Sequence, residues 1–280
     1  MLRFEANTSS ALVPLQTNNM FDNAYVESGD PPIDTFGRKL NDLITLIDPT
    51  NFNTLNANLV VLGSVSAVES YLREIIRKCV NVDHVSKNKC ELHSITYAAA
   101  ISHNKELMPE AVLENYTFAS KKNIIDAFRE VIGIKGKIDQ NLEKILDEYQ
   151  KVCHVRHCLV HRYGKLGARN ASILGLENHQ ESIEKPIRLN YAELQSIQTI
   201  CISVVEEINN FLFRKIMQRL ICDLKNKKLT NIIWKWHYGQ DRKQFLKYYK
   251  LFVSIVSPST LYSTPRELYD YYKIYYNGLD

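Results

Sequence analysis

The residues best suited to chemistry lie close together between positions 153 and 164, where the sequence reads CHVRHCLVHRYG. Three of the eight histidines of the chain fall within this stretch. Histidine titrates near neutral pH and can move protons, whereas the planar guanidinium of arginine binds phosphate oxygens. Arg156 and His161 together suit acid–base chemistry on a phosphodiester. RNA cleaves when its own 2′-OH attacks the adjacent phosphorus, and a fixed cation stabilises the phosphorane oxygens.

Two other interpretations of this cluster remain open. Histidines near the C-terminus of a helix interact favourably with the helix dipole without any further role, and a buried carboxylate such as Glu69 could neutralise Arg156. His157 and His161 also have the i, i+4 spacing that zinc accepts. Cys158, however, stands where the zincin motif has glutamate, and no obvious third ligand lies nearby. We therefore predict no metal site and no cofactor.

The spacing of Arg156 and His161 constrains how they could act together. Five positions along an ideal helix separate two side chains by about 140° and ~7.5 Å. One regular helix therefore does not aim both groups comfortably at a single point. Either the helix end distorts at Gly164, or two copies of the helix meet across a dimer and pool their groups. The second arrangement would place two arginines and two histidines around one cleft.

Hydrophobic periodicity predicts that the elements positioning this segment are helices and that the protein is all-α. Between residues 82 and 118 the pattern supports short helices at most. The expected N-caps are Ser120 and Asp139, and Asn190 with Glu193 forms a capping box. A short amphipathic helix is expected at 34–48, and further helices are expected at 56–80, 120–131, 139–163, 190–224 and 265–276.

The same periodicity predicts which faces are buried. On the histidine-rich helix the apolar stripe passes through Val152, Arg156, Val160 and Tyr163. A charged residue thus falls on a face that looks buried. On the helix expected at 56–80, Glu69 lies beside the apolar stripe and is expected to pair with Arg73, four residues later.

Composition is that of an ordinary soluble protein. The 280 residues are 45% hydrophobic and 24% charged, and the formal net charge is only +4, which excludes wholesale disorder and does not by itself indicate nucleic acid. The first residues contain no signal-peptide pattern, and no apolar run is long enough to span a bilayer. We expect a cytoplasmic protein with no membrane contact, whose six cysteines are free thiols.

The C-terminal part of the chain differs from the rest. Between Arg214 and Lys250 there are 11 lysines or arginines against two acids, interleaved with aromatic residues. Such a segment suits phosphate contact and base stacking, and Lys235, Arg242 and Lys243 are the expected RNA-binding residues. The alternative is a helical extension whose aromatic side chains pack on the bundle. We divide the chain into an irregular arm, a helical domain and a basic, aromatic-rich helical extension, at residues 1–33, 34–222 and 223–280.

Three stretches of the sequence resemble one known family. Arg156-x4-His161, with the polar His157 directly after the arginine and Tyr163 two residues beyond the second histidine, resembles the R-x4-6-H motif of HEPN ribonucleases, in the R-x4-H-x-Y form of HEPN toxins. Residues 68–75 resemble the first long helix of the RiboL-PSP type of HEPN domain. Residues 188–194 resemble the entry to its last long helix. The resemblance covers roughly residues 37–222.

The resemblance implies an antiparallel helical bundle that dimerises and cleaves RNA without a metal ion, in toxin–antitoxin or antiviral systems. Arg156 would bind the scissile phosphate, His161 would be the acid–base residue, and His157 would orient them. Tyr163 matches the tyrosine that nucleotidyltransferase antitoxins modify with AMP, and could instead position substrate. Glu69 matches an acidic residue of the first helix.

The expected partners are an RNA substrate, a second copy of the chain, and an antitoxin or sensor protein. Arg162 and Lys165, on either side of Tyr163, are further expected RNA contacts. The competing hypothesis is a non-catalytic HEPN module that binds RNA or a partner protein. The intact pair of Arg156 and His161 favours the enzyme.

Overall fold

The computed structural model describes residues 12–229, 234–256 and 263–278. Within these ranges the chain forms eleven α-helices and no β-strand, which confirms the predicted all-α class. The helices are α1 Pro32–Ile44, α2 Thr54–Val82, α3 His84–Cys90, α4 Tyr97–Ser102, α5 Met108–Leu113, α6 Lys121–Ala127, α7 Gln140–Arg162, α8 Ala168–His179, α9 Tyr191–Lys225, α10 Tyr238–Phe252 and α11 Pro265–Asn277.

The helices begin where side chains satisfy their first backbone amides. The Ser120 side chain accepts a hydrogen bond from the Asn123 N–H at 3.1 Å, as predicted. Asn190 and Glu193 form the predicted capping box, with bonds of 2.9 and 2.8 Å. Asp139 occupies the N-cap position of α7, but the capping bond is absent. Its carboxylate instead pairs with Arg214 and a neighbouring lysine of α9, because an ion pair to a packed helix competes with the local bond.

Three long helices build the centre of the core. Helices α2, α7 and α9 pack against one another. Their facing side chains are fully buried, among them Leu72 and Ile75 of α2, Leu146 and Tyr149 of α7, and Val204 and Ile208 of α9. Each buried side chain of this size contributes roughly 1.5–3 kcal/mol to stability. This apolar contact fixes α7, which carries the histidine-rich segment.

The region between α2 and α6 contains only the short helices α3, α4 and α5, in agreement with the sequence pattern. Arg73, which was expected to pair with Glu69, instead binds this region. Arg73 pairs with Glu110 of α5 at 3.1 Å and donates to the Leu113 and Tyr116 carbonyls. The predicted Glu69–Arg73 pair is therefore wrong, because Arg73 turns away from its own helix to hold the following chain.

The basic C-terminal segment packs on the rest of the protein. Trp234, Phe245, Tyr248 and Tyr269 are buried and join the same core cluster as α2, α7 and α9. The side-chain amide of Asn209 links this segment to the bundle, since it accepts from the Tyr71 hydroxyl at 3.1 Å and donates to the Phe252 carbonyl at 2.7 Å. These aromatic side chains pack on the bundle, as the alternative hypothesis of a helical extension predicts.

The described part of the N-terminal arm, residues 12–31, is mostly exposed and contains one short 3₁₀ turn and no α-helix. The irregular arm was predicted to reach residue 33, whereas α1 begins at Pro32. Residues 1–11 lie outside the described part. All six cysteines are free thiols. None of the described helices combines the length and the apolar character that crossing a membrane requires.

The packing of the C-terminal segment predicts a contrast between two tyrosines. Tyr248→Ala, which empties a site in α10 that is 2% exposed, should lower the free energy of unfolding by about 3–5 kcal/mol. Tyr271→Ala, at a side chain 60% exposed on α11, should change it by less than about 0.5 kcal/mol. Denaturant titration measures both, and equal small losses would show that α10 is not part of the core.

Candidate active site at the end of helix α7

Helix α7 stays regular through Arg162 and then stops abruptly. Tyr163 and Gly164 both have left-handed backbone, with φ of 51° and 87°. The Gly164 N–H donates back to the Cys158 carbonyl at 3.0 Å, and the Gly164 carbonyl accepts from the Ile187 N–H at 2.9 Å. The distortion therefore comes after His161, so Arg156 and His161 keep the divergent directions of a regular helix.

The C-terminal part of α7 is exposed at positions where the predicted apolar stripe would be buried. Val160 is 47% exposed and Tyr163 is 89% exposed, whereas Val152 and Leu159 are buried. The predicted continuation of the apolar stripe through Val160 and Tyr163 is wrong. Residues spaced by four rotate around the helix, and two such steps turn the position by about 80°. The end of α7 consequently presents its side chains to solvent.

Arg156 is half-buried on this helix and its charge is not neutralised. Its guanidinium forms no ion pair or hydrogen bond with any residue in the described ranges. Glu69 is occupied elsewhere, since its carboxylate accepts from the Phe118 N–H at 3.3 Å. Burial raises the pKa of the Cys153 thiol to about 12, and Glu69 and Arg156 act on it electrostatically in opposite directions. Glu69 and Arg156 therefore lie near the same thiol without forming the pair that a purely structural arginine would make.

His157 and His161 lie together on the exposed face. Their rings are 4.5 Å apart between centroids, with a 48° angle between the ring planes. Burial lowers the pKa of His157, and four neighbouring basic groups act in the same direction, those of His161, His154, Arg156 and Arg169. His157 is therefore held neutral near pH 7. His161 forms no hydrogen bond with the described residues and is open to solvent.

Helix α8 contributes a residue that the sequence did not single out. Asn170 is 5% exposed and its side chain contacts three residues of α7. It lies 3.2 Å from His154 Nδ1, 3.0 Å from His157 Nδ1 and 3.1 Å from Cys158 Sγ. No local pattern marks Asn170, because the loop that folds α8 back onto α7 creates the contact. Arg169, which precedes it, is exposed beside the same histidines.

The two predicted RNA contacts after His161 differ in their surroundings. Arg162 Nη2 lies 2.7 and 2.6 Å from the two carboxylate oxygens of Glu184. The guanidinium also fills the space beside Gly167, where an added Cβ would lie 2.5 Å from it. Arg162 thus holds the turn after α7, whereas Lys165 is exposed.

The expected RNA-binding residues of the C-terminal segment lie apart from α7 in the packing. Lys235, Arg242 and Lys243 are exposed. They stand in or just before α10, which packs on α1, α2, α9 and α11, whereas the neighbours of α7 are α2, α6, α8 and α9. The structure therefore places Arg156, His157, His161 and Tyr163 at the end of α7, and places the tail cations in or before a helix that packs on α2 and α9 as α7 does.

The cluster does not contain a three-residue cation site. Within the described ranges, no group of three or more histidine, cysteine or carboxylate side chains is placed to hold a metal ion. His157 and His161 are the two residues of the cluster with suitable spacing. Among the described residues, the arrangement offers the Arg156 guanidinium without an ion-pair partner, the His157 imidazole with a hydrogen bond to Nδ1, and the His161 imidazole exposed to solvent.

No family model, curated protein or solved structure matches the chain. The chemistry of the site therefore rests on its own geometry.

Proposed function

We propose that this protein is a metal-independent endoribonuclease of the HEPN type, with its active site at the end of α7. The observation that carries the proposal is the state of Arg156, a half-buried guanidinium without a carboxylate partner in the described ranges, beside the His157–His161 ring pair. A charge left unpaired at a partly buried position costs free energy that an anionic ligand would offset. A phosphodiester supplies such an anion.

The reaction proposed is transesterification by the ribose 2′-OH. A base takes the 2′-OH proton while the 2′-oxygen attacks phosphorus, the P–O5′ bond breaks, and the departing 5′-oxygen receives a proton. His161, which no described residue restrains by a hydrogen bond, is proposed to transfer protons. Arg156 stabilises the extra negative charge on the phosphorane oxygens. Arg169 and Lys165, both exposed nearby, are proposed to contact flanking phosphates.

The divergence of Arg156 and His161 supports a homodimeric enzyme. Because α7 is regular through Arg162, one protomer does not bring both groups to one point. Two α7 ends packed about a two-fold axis would place the arginine of one copy near the histidine of the other. Val160 on α7 and Ile173 on α8 are exposed apolar side chains that such a dimer is proposed to cover.

The biological role proposed is that of a toxin or antiphage effector controlled by an antitoxin or sensor protein. Tyr163 supports such control because its side chain is 89% exposed and its backbone is left-handed, which is costly for a bulky residue. A phosphate-bearing group added to its hydroxyl would add negative charge at the end of α7, about two helical turns after Arg156. The modification, or alternatively a role in positioning substrate, rests on the HEPN resemblance.

A non-catalytic HEPN module is the second candidate function. The observation that favours it is the exposure of apolar side chains on α8, the helix that packs on α7, since Ile173 and Leu176 are 55% and 46% exposed. Such a surface suits a protein partner. Under this hypothesis Arg156 would bind an RNA phosphate or a partner carboxylate without any bond cleavage.

The enzyme hypothesis predicts loss of RNA cleavage in two variants. Arg156→Ala should lower the cleavage rate at least about 100-fold because it removes the charge on the phosphorane. His161→Ala should lower it by about 100-fold or more because it removes the proton-transfer group. Cleavage of total RNA by the purified protein, with EDTA present throughout, measures both effects.

Matched controls distinguish an effect of the proposed active site from the effect of removing a basic side chain elsewhere on the surface. Arg129→Ala and His237→Ala change exposed residues on other elements and should cleave at the wild-type rate. Tyr163→Phe in the same assay tests whether the hydroxyl contacts substrate. Wild-type cleavage by His161→Ala would remove the proposed active site, and no cleavage by the wild-type protein would favour the non-catalytic module. Inhibition of the wild-type protein by EDTA would instead favour a metal-dependent hydrolase.

The dimer proposal predicts the mass of the active species. Light scattering of the purified protein should give twice the 32.4 kDa of one chain. Val160→Glu, which places a charge at the proposed interface, should shift the mass to that of one chain and reduce cleavage with it. A wild-type monomer that cleaves RNA would contradict a site shared between two copies.

A further inference from the structure

A chain of hydrogen bonds runs from a backbone amide into the site. The Lys121 N–H, at the start of α6, donates to Gln150 Oε1 at 2.8 Å. Gln150 Nε2 lies 3.0 Å from His154 Nε2, and His154 Nδ1 lies 3.2 Å from Asn170 Oδ1. Asn170 Nδ2 then lies 3.0 Å from His157 Nδ1. Four side chains in series thus connect α6 to the exposed histidine pair.

The backbone amide sets the direction of every bond in this series. A backbone N–H can only donate, so the Gln150 oxygen must face Lys121 and the Gln150 amide group must face His154. His154 Nε2 must then accept a hydrogen bond. A neutral imidazole carries one N–H, so the proton of His154 is on Nδ1. A proton on His154 Nε2 would face the donating amide of Gln150.

The same rule fixes the orientation of Asn170 and the ring of His157. The Nδ1–H of His154 requires an acceptor, which orients the Asn170 oxygen toward it and the Asn170 amide group toward α7. That amide donates to His157 Nδ1 and, with its second hydrogen, to Cys158 Sγ at 3.1 Å. His157 thus carries its proton on Nε2, the ring nitrogen that makes no hydrogen bond within the described part of the chain.

We propose that His154 and Asn170 are positioning residues, which hold His157 in the Nε2–H form so that this N–H faces the site as a fixed hydrogen-bond donor to a phosphate oxygen. The tautomer assignment stands on the hydrogen bonds alone, whereas the donor role rests on the proposed function. No proton leaves His157 in this role, because a neutral imidazole is a very weak acid. His157 stabilises charge, and proton transfer is left to His161.

The burial of the series supports a positioning role. Asn170 is 5% exposed, and Gln150 and His154 are partly buried, so water competes poorly for their hydrogen bonds. The charged and titratable groups acting on His157 are those of His154, Arg156 and His161 on α7 and Arg169 on α8. All are basic, so they oppose a second proton on His157 and favour the neutral donor.

The experiment is nitrogen NMR of the full-length protein labelled with ¹⁵N-histidine, near neutral pH and without RNA. We expect His154 in the Nδ1–H form and His157 in the Nε2–H form. The His154 result is the more discriminating, because a free histidine side chain favours the proton on Nε2. His154 in the Nε2–H form, or His157 in the Nδ1–H form, would overturn the assignment.

A variant tests whether Asn170 controls His157. Asn170→Asp replaces the donating amide with a carboxylate oxygen, so His157 should gain a proton on Nδ1 and its pKa should rise by more than about one. Asn178→Asp makes the same chemical change at an exposed position of α8 and should leave His157 unchanged. Equal effects of the two variants would show only a general charge effect and overturn the role of Asn170. If Asn170→Asp fails to fold, the wild-type tautomers decide alone.

The donor role is tested separately with a non-cleavable probe. A 2′-O-methyl oligoribonucleotide at saturation should shift the His157 Nε2–H proton resonance downfield, whereas no shift would overturn that role. The outcomes also distinguish this inference from the proposed function. Predicted tautomers in a protein that binds the probe but never cleaves RNA would leave the network intact and remove only the nuclease. RNA cleavage by a protein without the predicted tautomers would support the nuclease and overturn the hydrogen-bond network.

Discussion

The site depends on one constraint, a half-buried arginine to which the described protein offers no counter-charge. Arg156 lies on α7, which packs on α2 and α9 in the core, and its side chain is half-buried. The nearest acidic candidate from the sequence, Glu69, is engaged by the Phe118 N–H. The next arginine along the chain, Arg162, is neutralised by Glu184. The fold thus neutralises one of two neighbouring arginines and leaves the other available to an anion.

The surrounding elements can be understood from this constraint. The apolar contact of α2, α7 and α9 stabilises the fold. This stabilisation offsets the free-energy cost of a half-buried arginine without an ion-pair partner on α7. The left-handed turn at Tyr163 and Gly164 ends α7 and sends the chain back, so that α8 packs on it. Asn170 on α8 then contacts the histidines of α7. The turn therefore both exposes the site and supplies the residue that orients it.

Periodicity and capping chemistry were sufficient to predict the long helices and several of their starting residues. Ser120 and the pair Asn190 and Glu193 cap their helices because those bonds are local in sequence. The failures involve contacts between distant residues. Asp139 and Arg73 take partners from other helices. No helix was predicted at α8, and α10 was expected only as part of a helical extension without bounds of its own. The histidine cluster was recognisable from spacing alone, but Asn170 was not, since only the packing of α8 on α7 brings it there. Gln150 lies on α7 itself, four residues before His154, and its orientation depends on the Lys121 N–H of α6.

The central claim is that Arg156 and the histidines act on a phosphodiester through attack by the ribose 2′-OH. Identification of the RNA ends formed by the purified protein tests this most directly. Attack by the 2′-OH produces a 2′,3′-cyclic phosphate on one fragment and a free 5′-OH on the other, and an RNA with 2′-O-methyl groups should remain intact. Fragments with 3′-OH and 5′-phosphate ends, or cleavage of the 2′-O-methyl RNA, would contradict the mechanism.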